Sequence, residues 1–341
     1  MQALGNYMKY VVTGGAGFIG SYIVKFLVEE GHTVEVIDNL CNSSKNNIKE
    51  FLNEINFHLI DIRNKQKIQD IIKNCDGIFH QAALTSVPES FENPQEYFDV
   101  NVKGTGIIFD IAKKENLRVV YASSASIYGN VSKIPIKEDF EKNPINPYGK
   151  SKLDVEILSR TGIDEGLESI GLRYFNVYGK GQTSNYAGVI TKFLENIEQN
   201  KLLTIYGDGT QIRDFIHVED IVKANIIAMT SKNKSGFFNV GTGIGTTIND
   251  LAKIIIKITN FKKESVHVPS LDGDVKISQA DINSIFLNLG WSAKIDLKTG
   301  LEKLIKSWKQ KLFDMSNSKL FTKNNQNYRI LDFLGKKSID R

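Results

Sequence analysis

The run from Lys9 to Asp38 leaves few folds open. Lys9-Tyr10-Val11-Val12-Thr13 is short and β-rich, and it feeds directly into Gly14-Gly15-Ala16-Gly17-Phe18-Ile19-Gly20. An amphipathic segment follows to about Glu30, closed by Gly31, and Thr33 to Ile37 is again β-rich, ending at Asp38. The pattern is strand, glycine turn, helix, strand. Glycines at such a turn let the backbone approach a pyrophosphate, the helix N-terminus presents N–H donors and partial positive charge, and an acid after the second strand accepts ribose hydroxyls. Gly14, Gly17, Gly20 and Asp38 are therefore candidates for a dinucleotide site. The competing reading is a bare structural turn, and the complete strand-to-strand context outweighs it. Asp38-Asn39-Leu40, with no adjacent arginine, repels a 2′-phosphate and points to NAD rather than NADP.

The alternation continues. Phe57 to Ile60 reads as a third strand ending at Asp61-Ile62, beside an adenine, and Gly77 to His80 as a fourth ending at Gln81-Ala82-Ala83, where small residues let the backbone pass close to a cofactor or pack tightly. His80 reads as a satisfied structural histidine. A helix from about Pro94 to Glu115 carries Asn101, and a strand from Arg118 to Ala122 leads into Ser123-Ser124. Repeated alternation of this kind predicts an α/β fold with a doubly wound parallel sheet. Ser124 leaves its strand at the C-terminal sheet edge, where open α/β sheets carry their reacting groups. Beyond it, Pro147 opens a helix whose Tyr148 and Lys152, four apart, leave one face of the first turn. A phenol titrates near pH ~10, but an ammonium and a cationic nicotinamide ring both favour the phenolate. Tyr148, Lys152 and Ser124 are thus the candidate catalytic set, with Ser124 relaying the proton.

Composition limits the alternatives. A chain of 341 residues with 41% hydrophobic and 24% charged residues is long enough for a large core and one or two domains. The net charge of +4 is spread rather than massed, which argues against nucleic acid as a partner. No apolar run approaches a membrane span and no signal peptide precedes the first strand, so a cytoplasmic protein is expected; residues before Met8 lie outside the expected fold. Cys41 and Cys75 share no ligand spacing, so the expectation is two structural thiols, a reducing compartment and no metal.

Taken in order, Gly14, Gly17, Gly20, Asp38, Asp61, His80-Gln81-Ala82-Ala83, Asn101, Ser124 and Tyr148-x-x-x-Lys152 resemble the extended short-chain dehydrogenase/reductase superfamily, in its nucleotide-sugar epimerase/dehydratase branch, over about residues 8 to 312. Each element is common; the ordered set is specific. The resemblance implies a Rossmann-type sheet domain over 8–175 with returning segments near 212–242. It also implies a smaller, discontinuous α/β substrate domain over 176–211 and 243–312, and a C-terminal extension over 313–341. It further implies bound NAD contacting Gly14, Gly17, Phe18, Ile19, Gly20, Asp38, Asn39, Asp61, Ile62, Gln81, Ala82, Ala83, Asn101, Tyr148, Lys152, Tyr174 and Tyr178, the last bordering the nicotinamide. On the substrate side it implies a UDP-sugar held by Ser86, Ser124, Ser126, Asn176, Val189, Tyr206, Arg213, Lys276 and Ser278. In that reading Asn176 meets the diphosphate, Arg213 pairs with phosphate and Tyr206 stacks near uracil. The alternative for Tyr206 is a place in the small-domain core. A homodimer through the helices around 94–115 and 148–160 is also implied.

The branch is read from the positions beside the catalytic hydroxyl. Dehydratases of this family carry Asp-Glu where this chain has Ala125-Ser126, decarboxylases usually carry Glu at the position of Ser126, and glucuronate epimerases typically carry Thr at that of Asn176. The resemblance therefore implies oxidation and re-reduction of a UDP-hexose at C4, with those other nucleotide-sugar reactions as alternatives and a non-catalytic NAD-binding protein as the reading from another class. A small residue at Ser278 implies room for an N-acetyl group at C2, against the alternative of a strand residue far from C2. The chain departs from the family at Leu271, where a second phosphate-clamping arginine is common; Lys276 stands in as a point charge without the planar fork. The tail beyond Trp308, with its apolar Ile330-Leu331-Asp332-Phe333-Leu334, is compatible with disorder or with docking on the body.

Overall fold

The fold is taken from a computed structural model, which describes residues 7–182, 188–270 and 275–317, apart from the side chains of 315–317. Leu271, Gly273 and Asp274, and the extension from residue 318 onward, lie outside the described residues.

The first strand β1 (Lys9–Thr13) is followed by α1 (Phe18–Glu29), β2 (Thr33–Asp38), β3 (Ile55–Leu59), α2 (Lys65–Ile72) and β4 (Gly77–His80). Then come α3 (Val87–Glu92), α4 (Pro94–Tyr97), α5 (Thr105–Lys114), β5 (Arg118–Ser124), α6 (Pro147–Asp164) and β6 (Ser169–Tyr174). Further on are β7 (Asn176–Tyr178), α7 (Val189–Glu198), β8 (Leu203–Tyr206), β9 (Ile212–His217), α8 (Val218–Thr230) and β10 (Gly236–Val240). The last elements are β11 (Gly245–Thr247), α9 (Ile248–Thr259), β12 (Ser265–Val268), β13 (Ile277–Ser278), α10 (Asn283–Leu289) and α11 (Leu297–Asn317).

Seven strands form one parallel sheet in the order β10-β6-β5-β4-β1-β2-β3. Helices cover both faces, so successive residues of β1 go to opposite cores: Val12 packs with Ile23, Val24, Val36 and Ala224, and Val11 with Ile37, Ile78, Ile108 and Val155. Burial of each such aliphatic side chain contributes roughly 1.5–3 kcal/mol. From β1 the chain runs outward to β2 and β3 and then crosses to β4 on the other side of β1. That reversal opens a crevice beyond the C-terminal ends of β1 and β4.

The helix expected from Pro94 to Glu115 is interrupted. Between α4 and α5 the turns widen to a π-helix over Phe98–Gly104, which carries Asn101. The second half of the chain builds a smaller layer: β9 pairs with β7, β11 and β13, β8 pairs with β12 in parallel, and α7, α9 and α11 close a third core around Phe193, Leu251 and Leu304. The return to the main sheet is made by α8 and β10, whereas β9 belongs to the smaller sheet.

Candidate active site

The crevice at the sheet reversal is a cleft of about 800 Å³. At one end stand Gly14, Gly17, Phe18, Ile19 and Gly20, with Asp38, Asn39, Asp61, Ile62, Gln81, Ala82 and Ala83 around them. The glycines are there for space. Gly14 has φ +66°, and a Cβ on it would lie 2.7 Å from the Ala82 nitrogen; a Cβ on Gly20 would lie 2.1 Å from the Gly14 carbonyl oxygen. Helix α1 begins at Gly17 with no side-chain cap, so the N–H groups of its first turn face the cleft without a protein acceptor. This is the donor set that a pyrophosphate requires. Asp38 is buried and oriented: Oδ2 accepts from Ala16 N at 3.0 Å, and Oδ1 accepts from Leu40 N at 2.8 Å and from Ser43 Oγ at 2.7 Å. One lone pair of Oδ2 remains for a ribose hydroxyl. The cleft residues thus fit a dinucleotide.

Asp61 lines the cleft, but its carboxylate is already committed. Arg63 donates to both of its oxygens from Nε and Nη2, Arg63 N adds a third bond and Asn39 Nδ2 a fourth. The guanidinium holds Asp61 down to about 2, and its Nη1 also reaches Glu96 at 2.9 Å. Arg63 was missed by the sequence reading, although its place two residues after the strand-end acid was a usable signal.

At the other end of the same cleft stand Ser124, Tyr148 and Lys152. Asn146 accepts from Gly149 N at 2.8 Å, Pro147 takes the first helical position, and α6 therefore starts where both catalytic candidates face β5. Lys152 Nζ donates to the Ala122 carbonyl at 2.8 Å and lies 6.0 Å from the centre of the Tyr148 ring. Burial pushes Lys152 down to about 8. Burial also raises the Tyr148 phenol, against a smaller lowering by its hydrogen bond with Ser124. The ammonium four residues away is thus insufficient by itself to make the phenolate. Ser124 Oγ accepts from Ser126 N and donates to Ser126 Oγ, both at 3.1 Å. Next to Ser124 the side chains are Ala125 and Ser126, and neither is a carboxylate.

His80 is buried and held neutral, pushed down to about 3 by burial and then by the Lys152 charge. Thr105 donates its hydroxyl to the Asn101 carbonyl, so His80 Nε2 donates to Thr105 Oγ1 at 2.8 Å and Nδ1 accepts from Thr13 Oγ1 at 2.6 Å. Its role is to join β1, β4 and α5.

Several expected contacts are placed elsewhere. Asn101 is buried and outside the described cleft wall, its side chain bonded to Leu84 N, Leu84 O and Ser151 Oγ, so it ties the loop after β4 to helix α6. Tyr178 does not border the cleft: its ring packs edge-on against His217 in the smaller core, and its hydroxyl donates to Leu297 O at 3.4 Å. Tyr174 does line the cleft, with its hydroxyl tied to Gln81 and Asn225. Ser86 and Asn176 also line it, and Ser86 caps α3 by accepting from Glu89 N. Val189 opens α7 beside the lining residues Gly188 and Lys192, and Lys192 was not foreseen. Arg213 and Ser278 stand opposite each other in the β9–β13 register, away from the described cleft wall, with Lys276 at the start of that segment. Tyr206 is 36% exposed at the end of β8, so it is not a core aromatic. Among the described residues no group of His, Cys, Asp and Glu is arranged to hold a metal ion.

A parallel sheet with a glycine-lined crevice at its reversal and a Ser, Tyr, Lys set across the same cleft defines a dinucleotide-dependent oxidoreductase-type enzyme. Residues 10–241 match the model of the NAD-dependent epimerase/dehydratase family, and the chain belongs to that family. The UDP-glucose 4-epimerase of Dictyostelium discoideum is 35% identical over 314 residues, covering 84% of this chain and 91% of its own. Among solved structures, the UDP-glucose 4-epimerase of Thermotoga maritima, crystallised with UDP-glucose, superposes with a TM-score of 0.86 at 35% identity, over 89% of this chain and 100% of the other. The UDP-N-acetylglucosamine 4-epimerase of Methanobrevibacter ruminantium, in complex with UDP-N-acetylmuramic acid, gives 0.86 at 34% identity, over 90% and 100%.

Proposed function

We propose that this chain is an NAD-dependent UDP-hexose 4-epimerase, interconverting UDP-glucose with UDP-galactose through a 4-keto sugar. The observation that carries the reading is the meeting of Tyr148, Lys152 and Ser124 with the glycine turn and Asp38 in one cleft, with Ala125 and Ser126 beside the hydroxyl. A dehydratase or decarboxylase needs a further acid or base next to Ser124, and this chain offers none there. Relatives and structural neighbours with UDP-sugar 4-epimerase names support the same reading.

The α1 N-terminus, Asp38 and Asn39 hold the pyrophosphate and adenosine parts of NAD, and Lys152 holds the nicotinamide ribose. Bound there, NAD supplies a reversible hydride acceptor and a ring cation that opposes the raised pKa of Tyr148. Tyr148 then takes the 4-hydroxyl proton, directly or through Ser124, which lines the same cleft and whose hydroxyl favours the phenolate. The proton returns along the same path after the keto sugar has turned about its diphosphate linkage to present its other face. Such a turn requires anchoring on the nucleotide and a loose grip on the hexose. Asn176, Val189, Tyr206, Arg213 and Lys276 are the proposed anchors, and Arg suits phosphate well.

The finer proposal, that UDP-GlcNAc and UDP-GalNAc are also substrates, rests on the small side chain of Ser278, which stands opposite the proposed anchor Arg213 in the β9–β13 register. We read residues 8–175, with a returning segment that the sheet pairing narrows from 212–242 to 218–242, as the cofactor domain, 176–217 and 243–312 as the substrate domain, and 313–341 as an extension. Exposed Ile157 and Leu158 on α6 support pairing of two copies through α5 and α6. We further propose a cytoplasmic setting without nucleic acid as a partner, for which the spread charge is the support; among the described residues no helix is long and apolar enough to cross a membrane.

The test is incubation of purified protein, without added NAD, with UDP-galactose and separately with UDP-GlcNAc, following the sugars by NMR. Appearance of the C4 epimers is expected. A product altered at C6, loss of carbon dioxide, or no turnover even with added NAD would overturn the reading.

A further inference from the structure

The carboxylate of Asp214 is fully buried and accepts four hydrogen bonds from segments that are far apart in the chain. Oδ1 accepts from Thr242 N at 2.8 Å and Thr242 Oγ1 at 2.6 Å; Oδ2 accepts from Gly243 N at 2.9 Å and Ala280 N at 3.2 Å. A buried carboxylate is costly unless it is saturated in this way. None of its partners is a cation, so the arrangement is a backbone clamp and not an ion pair.

Its place explains its use. Asp214 follows Arg213 on β9, and Arg213 lies opposite Ser278 in a strand, β13, of two residues. So short a strand cannot fix its own register, and Ala280 N, two residues past Ser278, is held by Asp214 instead. Thr242 and Gly243 follow β10, the edge strand of the main sheet. The clamp therefore ties the Arg213–Ser278 wall to the sheet that carries the cofactor cleft. The far side of the same segment is held by Ile136, whose N–H donates to Gln279 O at 2.7 Å and whose carbonyl accepts from Asp281 N at 2.8 Å. The approach is tight enough to require glycine at 241: a Cβ there would lie 2.6 Å from Asp214 Oδ2 and 2.7 Å from Ala280 Cβ.

We propose that Asp214 is the positioning residue of the substrate wall, setting Arg213 and Ser278 at the distance from the cofactor cleft that a UDP-sugar spans. The inference rests on the reading that Arg213 binds the nucleotide part of the substrate. Three perturbations reach the clamp independently. Asp214→Asn places an N–H₂ against N–H donors; Gly241→Ala pushes the carboxylate from behind; Thr242→Val removes one donor and keeps the shape, as the variant that folds most readily. In each, the KM for UDP-glucose and the Kd for UDP by titration calorimetry are expected to rise about tenfold or more, as for loss of a charge-assisted hydrogen bond. The kcat is expected to stay within about twofold, and NAD content to remain unchanged. Arg213→Ala tests the reading beneath. If it weakens UDP binding while all three clamp variants keep the native KM and Kd, the inference is overturned. Equal losses of kcat and NAD content in the clamp variants overturn it too, since they mark general disorder and not a displaced wall. Undiminished UDP affinity in Arg213→Ala overturns the substrate reading and the inference with it.

Discussion

Replacing Gly20 by alanine probes the cofactor site at its tightest point. The added Cβ would lie 2.1 Å from the Gly14 carbonyl oxygen, 2.8 Å from its carbon and 2.9 Å from Gly15 Cα, all backbone atoms with no rotamer to yield. Ordinary contact lies at about 3.5 Å, so the start of α1 must retreat from the turn by about 1.4 Å. Overpacking of this kind costs about 1–3 kcal/mol of stability. The cofactor loses more. If two of the N–H donors of the first turn move beyond hydrogen-bond range of a pyrophosphate, at about 1.5–3 kcal/mol each, the loss is about 3–6 kcal/mol, or 10²- to 10⁴-fold in affinity. The assay is nicotinamide released per chain on denaturing the purified protein, with thermal melting in excess NAD alongside. A Gly20→Ala protein carrying stoichiometric NAD and melting as the native one does would refute the close-approach argument.

Tyr148→Phe should lower kcat by about 10²- to 10⁴-fold with NAD content unchanged, as expected for loss of a general base; retention of activity to within tenfold would remove Tyr148 from the mechanism. Lys152 is held down to about 8 from 10.5 by burial, so below pH 8 the folded protein carries the full cost of burying its charge, and that cost disappears as pH rises past 10.5. Lys152→Met, stripped of cofactor, should therefore melt above the native protein at pH 7, with the advantage shrinking toward pH 10, while epimerisation is lost; an advantage that grew with pH would contradict the sign. Arg173 donates to both oxygens of Glu156 at 2.9 and 2.8 Å, with the two side chains 1% and 4% exposed. Arg173→Met strands that carboxylate on the buried face of α6 and should cost roughly 3–5 kcal/mol in urea unfolding; a loss below about 1 kcal/mol would mean that the site relaxes around it. Ser278→Tyr should cut turnover of UDP-GlcNAc while sparing UDP-glucose, and equal turnover of both sugars in the mutant would place Ser278 away from C2.

The cofactor half of the site was legible because each part is encoded within a few residues. The left-handed Gly14, the uncapped start of α1 and the acid at the end of β2 follow one another along 25 residues from Gly14 to Asp38. Tyr148 and Lys152 share a face because Asn146 and Pro147 start the helix immediately before them. Where the expectation failed, the deciding partner was remote or the local pattern ambiguous. Tyr178 has Asn176 as its neighbour on the same face of β7, and Asn176 does line the cleft. What withdraws Tyr178 is α11, which docks more than 110 residues later so closely that a Cβ on Gly300 would lie 2.0 Å from the tyrosine hydroxyl oxygen. Asn101 sits in a π-helical turn, but the apolar spacing of the surrounding segment is that of one continuous helix, so its turn inward was not visible.

The proposed substrate half obeys a different rule. Its walls are strands of two to six residues, β7, β9, β11 and β13, too short for periodicity to announce and too short to hold register by ladder bonds alone. Register is instead imposed by side chains, as by Asp214 on residues 242, 243 and 280, and by the backbone of Ile136 on the other flank. A cofactor site of this family can be read from a motif because one sheet edge carries it. The proposed sugar-nucleotide wall is held by contacts between segments up to 145 residues apart, from Ile136 to Asp281, so on that proposal a single substitution such as Gly241→Ala, which presses on Asp214 and Ala280, would move Arg213 and Ser278 without touching them. Divergence in sugar choice is then expected to come as readily from changes in these supports as from changes at Ser278 itself.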